Sequence, residues 1–189
     1  MNEVKILKER TAFNKKLIVE EGNISINKKR IRRERVVRED AAAVLVYNTD
    51  TKKVILTKQF RFPIAGKIKE DILEIVAGKI EGGKNPEEIA IKETEEEIGY
   101  RIRKGNLRPL LSCFSTPGYS SECFYIYFAK VTNADKVSEG GGEKEENEFI
   151  QIVELDLDEF KDKIKKAEIR DAKTYIAALY LFSYSDINH

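Results

Sequence analysis

The sequence is expected to form a layered α/β or α+β fold. Three observations point there. Short strand-like runs recur along most of the chain. Three segments carry helix start and stop signals. The chain has 189 residues with 41% hydrophobic content, enough for one apolar core.

The elements follow in order. Residues 1–40 are polar and basic, with strand-like runs at 16–20, 23–26 and 32–38. This segment is too polar to build a core alone. It is set apart as an N-terminal β segment, with 41–189 as the main domain. Residues 41–47, AAAVLVY, form a clear strand. The turn at 48–51 and a strand at 53–60 make a hairpin with a loop. Residues 72–76 read as a short apolar strand, and Gly78, Gly82 and Gly83 mark a loop after it.

A helix over 86–98 is strongly signalled. Asn85 is a natural N-cap, Pro86 takes the first helical position, Glu88 suits a capping box, and Gly99 supplies the stop. Strands are expected at 107–114 and 123–131, separated by a loop with Pro117 and Gly118. A second loop, 134–148, holds Gly140, Gly141, Gly142 and a run of acids. A strand at 149–155 and helices at 158–166 and 171–184, each opened by an aspartate, complete the chain.

Composition narrows the chemistry. Lys plus Arg is 34 and Asp plus Glu is 33, a net charge of +1. That balance argues against nucleic-acid binding through bulk charge. No apolar run reaches membrane-span length, and MNEVKILKER lacks the apolar core of a secretory signal. A cytoplasmic protein with no membrane partner is expected. The single histidine is His189, which argues against a Ser–His–Asp triad, a Cys–His pair or a histidine-bound zinc. Cys113 and Cys123 are the only cysteines and are expected to be reduced. Enzymatic chemistry here would run on carboxylates, with a hard metal or a lysine.

The segment KETEEE, residues 92–97, offers those carboxylates. At about 100° per residue, Glu93, Glu96 and Glu97 share an arc of about 100° on one helix face. Ala90, Ile91, Thr94 and Ile98 fall on an adjoining arc and can face the core. Like charges at i,i+3 and i,i+4 repel, and a divalent cation would offset that. Oxygen ligands favour magnesium or manganese over zinc. A solvated acidic face is the ordinary alternative for a Glu-rich helix.

The spacing around this helix resembles the Nudix box. Gly78, Glu93, Glu96, Glu97 and Gly99 match its fixed positions without a gap over 23 residues. Lys84 replaces the first glutamate, Lys92 the arginine, and Thr94 and Tyr100 the aliphatic positions. Lys92 keeps the charge of the arginine that orients the glutamates in this family, but not its bidentate fork. Lys58-Gln59-Phe60-Arg61, the lead-in LEIVAG at 73–78, Ser115-Thr116-Pro117-Gly118 and the acidic loop ending Glu146-Asn147-Glu148 resemble the nucleoside-diphosphate-sugar branch. That branch includes ADP-ribose and GDP-mannose pyrophosphatases. Residues 168–174, EIRDAKT, look most like the GDP-mannose group.

The resemblance implies a Nudix α/β/α sandwich with a mixed sheet and an N-terminal β segment. It implies magnesium, or manganese, held by the Ala77 carbonyl, Glu93, Glu97 and Glu148, with Glu96 in support and Glu146 as general base. It implies a nucleotide-sugar substrate. It also implies a homodimer whose N-terminal segments reach the partner's site. Arg38 and Arg61 are candidates for the diphosphate, Lys173 for phosphate or sugar, and Gly118 and Glu122 for the loop that meets base or sugar.

Each has an ordinary alternative. Arg38 belongs to a basic run, Arg61 follows a strand, and Lys173 sits where it can pair within its own helix. The glycine triplet lacks a P-loop signature and reads as a hinge for the acidic loop rather than a phosphate cradle. Phe124, Tyr125, Tyr127 and Phe128 read as core and sheet face. The expected function is hydrolysis of GDP-mannose to GMP and mannose 1-phosphate. ADP-ribose is the alternative substrate, and a non-catalytic nucleotide-binding module is the alternative class.

Overall fold

The computed structural model describes residues 3–142 and 149–184. The chain divides into two compact units. One comprises Met1–Asp40 and Cys113–Cys123, the other Ala41–Ser112 and Phe124–His189.

In the first unit, β1 (Val4–Asn14), β2 (Ile18–Ile26) and β3 (Lys29–Val37) form an antiparallel sheet in that order. Asn27 and Lys28, at φ 49° and 69°, make the tight turn between β2 and β3. Every residue of β1 is exposed, so it has no buried alternation, and the sequence reading passes over it. Cross-strand charge supports it instead. Arg10 lies opposite Glu21, and Arg35 reaches Glu20 at 2.7 Å and Glu9 at 3.0 Å. The Arg10 hydrogen bond leads the interactions that hold the Glu21 carboxyl below its usual range. The runs at 16–20 and 23–26 prove to be one strand. Pairing on both sides carries β2 through Gly22 and Asn23 despite their low strand propensity. Residues 113–123 dock on the end of β3: Val36 N–H donates to Tyr119 O at 2.7 Å, and Ser121 N–H to Val36 O at 3.1 Å.

The second unit is built on β4 (Ala41–Asn48), which is buried at every residue. β5 (Lys53–Gln59) returns antiparallel, as the hairpin reading expects. The expected strand at 72–76 is in fact two. β6 (Ile72–Glu74) pairs with β5, and β7 (Val76–Lys79) pairs with β4, with Ile75 between them. Gly78 therefore lies in a strand, not a loop. The apolar run is continuous in sequence, and only the change of partner divides it.

Helix α1 (Pro86–Ile98) has the expected ends. Asn85 Oδ1 accepts from Glu87 N–H at 2.9 Å, one residue earlier than a capping box requires, and Gly99 closes the helix at φ 77°. Ile89, Ala90 and Ile98 pack into one core with Ala42, Val44, Val46 and Val76. β8 (Leu107–Phe114) and β9 (Cys123–Val131) follow, β9 running parallel to β4. β10 (Gln151–Asp156) completes a mixed sheet of order β10–β5–β4–β9–β8.

Helix α2 (Leu157–Lys165) packs on β5 and β10, and α3 (Ala172–Tyr184) on β4. Ala43 and Leu45, which alternate with the residues facing α1, are also buried, so helices cover both faces of the sheet. The cap position of α2 is Asp156 rather than Asp158, and its side chain makes no cap hydrogen bond. Asp171 does cap α3, accepting from Thr174 N–H at 2.9 Å and from Thr174 Oγ at 2.7 Å.

Thr174 also accepts from the N–H of Ile75 at 2.9 Å, so α3 satisfies the backbone donor exposed where the sheet divides. Thr174→Ala leaves that buried N–H unsatisfied and is expected to cost about 1–3 kcal/mol in urea denaturation. Thr174→Ser, which keeps the hydroxyl, is expected to cost clearly less.

Candidate active site

Two neighbouring elements of the second unit meet where the acidic helix face was expected to work. On α1, Glu97 is buried, while Glu93 and Glu96 are half-buried. On β7, Ala77 and Gly78 pair with Ala43 and Ala42 of the central strand. The Glu93 side chain lies against Gly78 so closely that a Cβ there would overlap its carboxylate. Gly78 is needed for this close approach, not for an unusual φ. Lys92 Nζ reaches Glu96 Oε2 at 2.5 Å, so the lysine keeps a pairing role without the arginine's fork. Lys84 is exposed.

The glycine triplet closes on the end of α1. Gly140, Gly141 and Gly142 have φ of 65°, 101° and 79°. Gly141 N–H donates to Glu97 O at 2.8 Å and Gly142 N–H to Glu96 O at 3.1 Å. The triplet therefore clasps the C-terminal carbonyls of α1. A Cβ at Gly140 would press on the Glu97 carbonyl, so the fit depends on glycine. Glu146 and Glu148 lie outside the described residues.

Cations stand close by in the same unit. Arg61 follows β5 and donates from Nε at 2.9 Å and Nη2 at 2.5 Å to Glu74 Oε2. Burial alone lowers the Arg61 guanidinium. The Glu74 hydrogen bond and the charges of Glu74, Glu97 and Asp171 outweigh that and hold it above its ordinary value. Lys173 Nζ lies 2.7 Å from Asp171, 3.8 Å from Glu74 and 5.6 Å from the centre of the Phe124 ring. Its expected alternative, pairing at the start of its helix, is thus realised. Phe124, Tyr127 and Phe128 are buried, as the core reading expects.

The remaining candidates belong to the first unit. Arg38 Nε is 3.4 Å from Glu122 Oε1, and Ser121 Oγ accepts from Arg38 N–H at 2.9 Å. Gly118 faces open space, so nothing in its surroundings demands glycine.

The chain is similar to known proteins. A family model described as the NUDIX domain matches residues 37–177. The chain belongs to the Nudix family of hydrolases. It is 30% identical over 188 residues to a methanol dehydrogenase activator of Bacillus methanolicus, covering 99% of this chain and 97% of that one. It is 37% identical over 155 residues to an ADP-ribose pyrophosphatase of Bacillus subtilis, covering 82% and 78%. A GDP-mannose pyrophosphatase of Citrobacter koseri is 33% identical over 158 residues, covering 82% and 80%. The fold matches a crystal structure of an ADP compounds hydrolase with a TM-score of 0.77 at 21% identity, over 96% of this chain and 94% of that one.

Nudix hydrolases generally work with a divalent cation. The residues present fit one. Glu93 and Glu97 are hard oxygen donors, and the missing Cβ at position 78 sets the Glu93 carboxylate against the backbone beside Ala77. Among the described residues no group of three or more His, Cys, Asp or Glu side chains forms a metal cluster.

Sequence reasoning missed Glu74 and Asp171 as members of this region. Glu74 sits in the run Ile-Leu-Glu-Ile-Val, and a lone acid within an apolar strand is the signal that could have found it.

Gly78→Ala is expected to displace the Glu93 carboxylate while leaving the fold intact. Direct Mn²⁺ binding, followed by electron paramagnetic resonance, should weaken at least about tenfold, on the scale of a disturbed metal site. The thermal midpoint should change little.

Proposed function

We propose that this Nudix hydrolase splits the diphosphate of a nucleoside diphosphate sugar, giving a nucleoside monophosphate and a sugar phosphate. The observation that carries the reading is the seating of Glu93 against Gly78 beside the buried Glu97. Glu93, Glu97 and the Ala77 carbonyl, joined by Glu148, would hold the divalent cation, taken here as magnesium. A cation bound there supplies charge neutralisation on the phosphoryl oxygens and lowers the pKa of water.

The chain's own residues do the rest. Glu96, steadied by Lys92, supports the acidic face. Glu146 takes the proton of the attacking water. The glycine clasp favours this role, because it anchors the chain to the end of α1 at Gly142, four residues before Glu146. Arg38, Arg61 and Lys173 bind the anionic diphosphate. Gly118 and Glu122 meet base or sugar. In this reading the active form is a homodimer in which the segment 1–40 contributes to the partner's site. The exposed Val4, Ile6, Leu7 and Phe13 on β1 favour an apolar partner surface.

GDP-mannose is the proposed substrate, on the strength of residues 168–174. The Bacillus subtilis relative favours ADP-ribose as a second reading. A non-catalytic nucleotide-binding module is the third reading, and the relative named a methanol dehydrogenase activator spans nearly all of this chain.

Wild type assayed with magnesium on GDP-mannose and ADP-ribose should turn over at least one, with the higher kcat/KM for GDP-mannose. A higher constant for ADP-ribose selects the second reading, and no turnover of either selects the third. Glu93→Gln and Glu97→Gln should nearly abolish turnover in a folded protein. Glu146→Gln should lower kcat by roughly 10²–10⁴, the usual contribution of a general base. Sedimentation should show a dimer at assay concentration, and a fully active monomer would refute the shared site.

A further inference from the structure

Four charged groups converge on one point of the second unit, at the end of β6. Glu74 is 4% exposed and sends its two carboxylate oxygens to different cations. Oε2 takes Nε and Nη2 of Arg61, and Oε1 lies 3.8 Å from Lys173 Nζ. Asp171, also buried, takes the other side of Lys173 at 2.7 Å. The backbone of Glu74 is fixed as well: Thr57 Oγ donates to its carbonyl at 3.3 Å, and Thr174 holds the next N–H.

The cluster is neutral, two cations against two carboxylates, but stability does not explain it. Ion pairs of buried carboxylates are often replaceable by apolar residues at little cost, so two buried carboxylates devoted to two cations point to a further role. Arg61 shows what that role is. Its side chain is 43% exposed while that of Glu74 is 6% exposed, so only one edge of the guanidinium is tied down. Nη1 has no hydrogen bond among the described residues. A guanidinium held by Nε and Nη2 on a rigid carboxylate presents its other edge in a fixed plane, the geometry that suits a phosphate.

We propose that Glu74 is a positioning residue: one buried carboxylate that sets the spacing and orientation of Arg61 and Lys173 for an anionic diphosphate. It acts through those cations and does not touch the substrate. Asp171 completes the device by pairing with Lys173 at 2.7 Å and holding it in place. This inference rests on the hydrolase reading above and adds to it the residue that organises its substrate side, apart from the carboxylates of α1.

The test is a double-mutant comparison with two readouts. The first is kcat and KM on the better of GDP-mannose and ADP-ribose. The second is calorimetric binding of the non-hydrolysable α,β-methylene analogues of both, the tighter-binding analogue being followed. Glu74→Gln should raise KM and weaken analogue binding by roughly 10–100-fold, the size of a lost charge-assisted hydrogen bond, with kcat little changed. In an Arg61→Ala, Lys173→Ala background, the same Glu74→Gln change should alter kcat/KM less than about twofold, because its targets are gone. Direct Mn²⁺ binding should be unaffected throughout. If Glu74→Gln does not fold, Glu74→Asp keeps the charge, shortens the reach and carries the same expectation. Equal losses in both backgrounds, or a fall in kcat at constant KM, would overturn the role of Glu74. A wild type that binds the analogue but hydrolyses neither sugar nucleotide would overturn the hydrolase reading alone, and failure to bind the analogue would overturn both.

Discussion

The second unit turns on Ile75, the single residue at which the chain leaves one neighbour strand for another. Up to Glu74 it pairs with β5, and from Val76 it pairs with β4. A divided sheet leaves a backbone N–H in the interior without a ladder partner. The fold supplies one from outside the sheet, the hydroxyl of Thr174 at the start of α3. That bond ties the last helix to the middle of the chain. It also fixes what stands on either side: Glu74 with its cations before the division, and Ala77 and Gly78 facing α1 after it.

Two kinds of site chemistry therefore flank one structural point. On the α1 side, carboxylates gather on a helix whose ends are capped by Asn85 and Gly99 and clasped by the glycine triplet. Their mutual repulsion is eased by Lys92 on Glu96 and suits a divalent cation. On the β6 side, cations gather around Glu74 and are held in place by it. An anionic diphosphate with a bound cation has use for both. The separation explains how a chain of net charge +1 can serve a charged substrate, because the compensation is local.

What was legible in the sequence was local. Helix α1, its caps and the spacing of Glu93, Glu96 and Glu97 depend on residues a few positions apart, and they stand as expected. The strand limits at 107–114 and 123–131 were equally plain from apolar runs between turn residues. Strand β1 was not, because an edge held by cross-strand ion pairs has no hydrophobic period to read. The division of 72–76 was not, because a change of pairing partner leaves no mark on an unbroken apolar run. Nor was the contact of the glycine triplet with α1, which follows from where the carbonyls of Glu96 and Glu97 point. Within the site, Gly78 and Glu93 were picked out by motif, but their close approach was not legible. The network of Glu74 and Asp171 joins residues nearly a hundred positions apart and needed the fold.

The central claim is that water attacks a phosphorus of a nucleotide-sugar diphosphate at the carboxylate face of α1. The most direct measurement is hydrolysis in ¹⁸O-enriched water with magnesium, the products being resolved by ³¹P NMR and mass spectrometry. The expected result is a nucleoside monophosphate and a sugar phosphate carrying one solvent oxygen between them, on phosphorus, and no products with Glu97→Gln. Release of the sugar with intact nucleoside diphosphate, the label then lying on carbon, would contradict it. So would undiminished products from the Glu97→Gln protein.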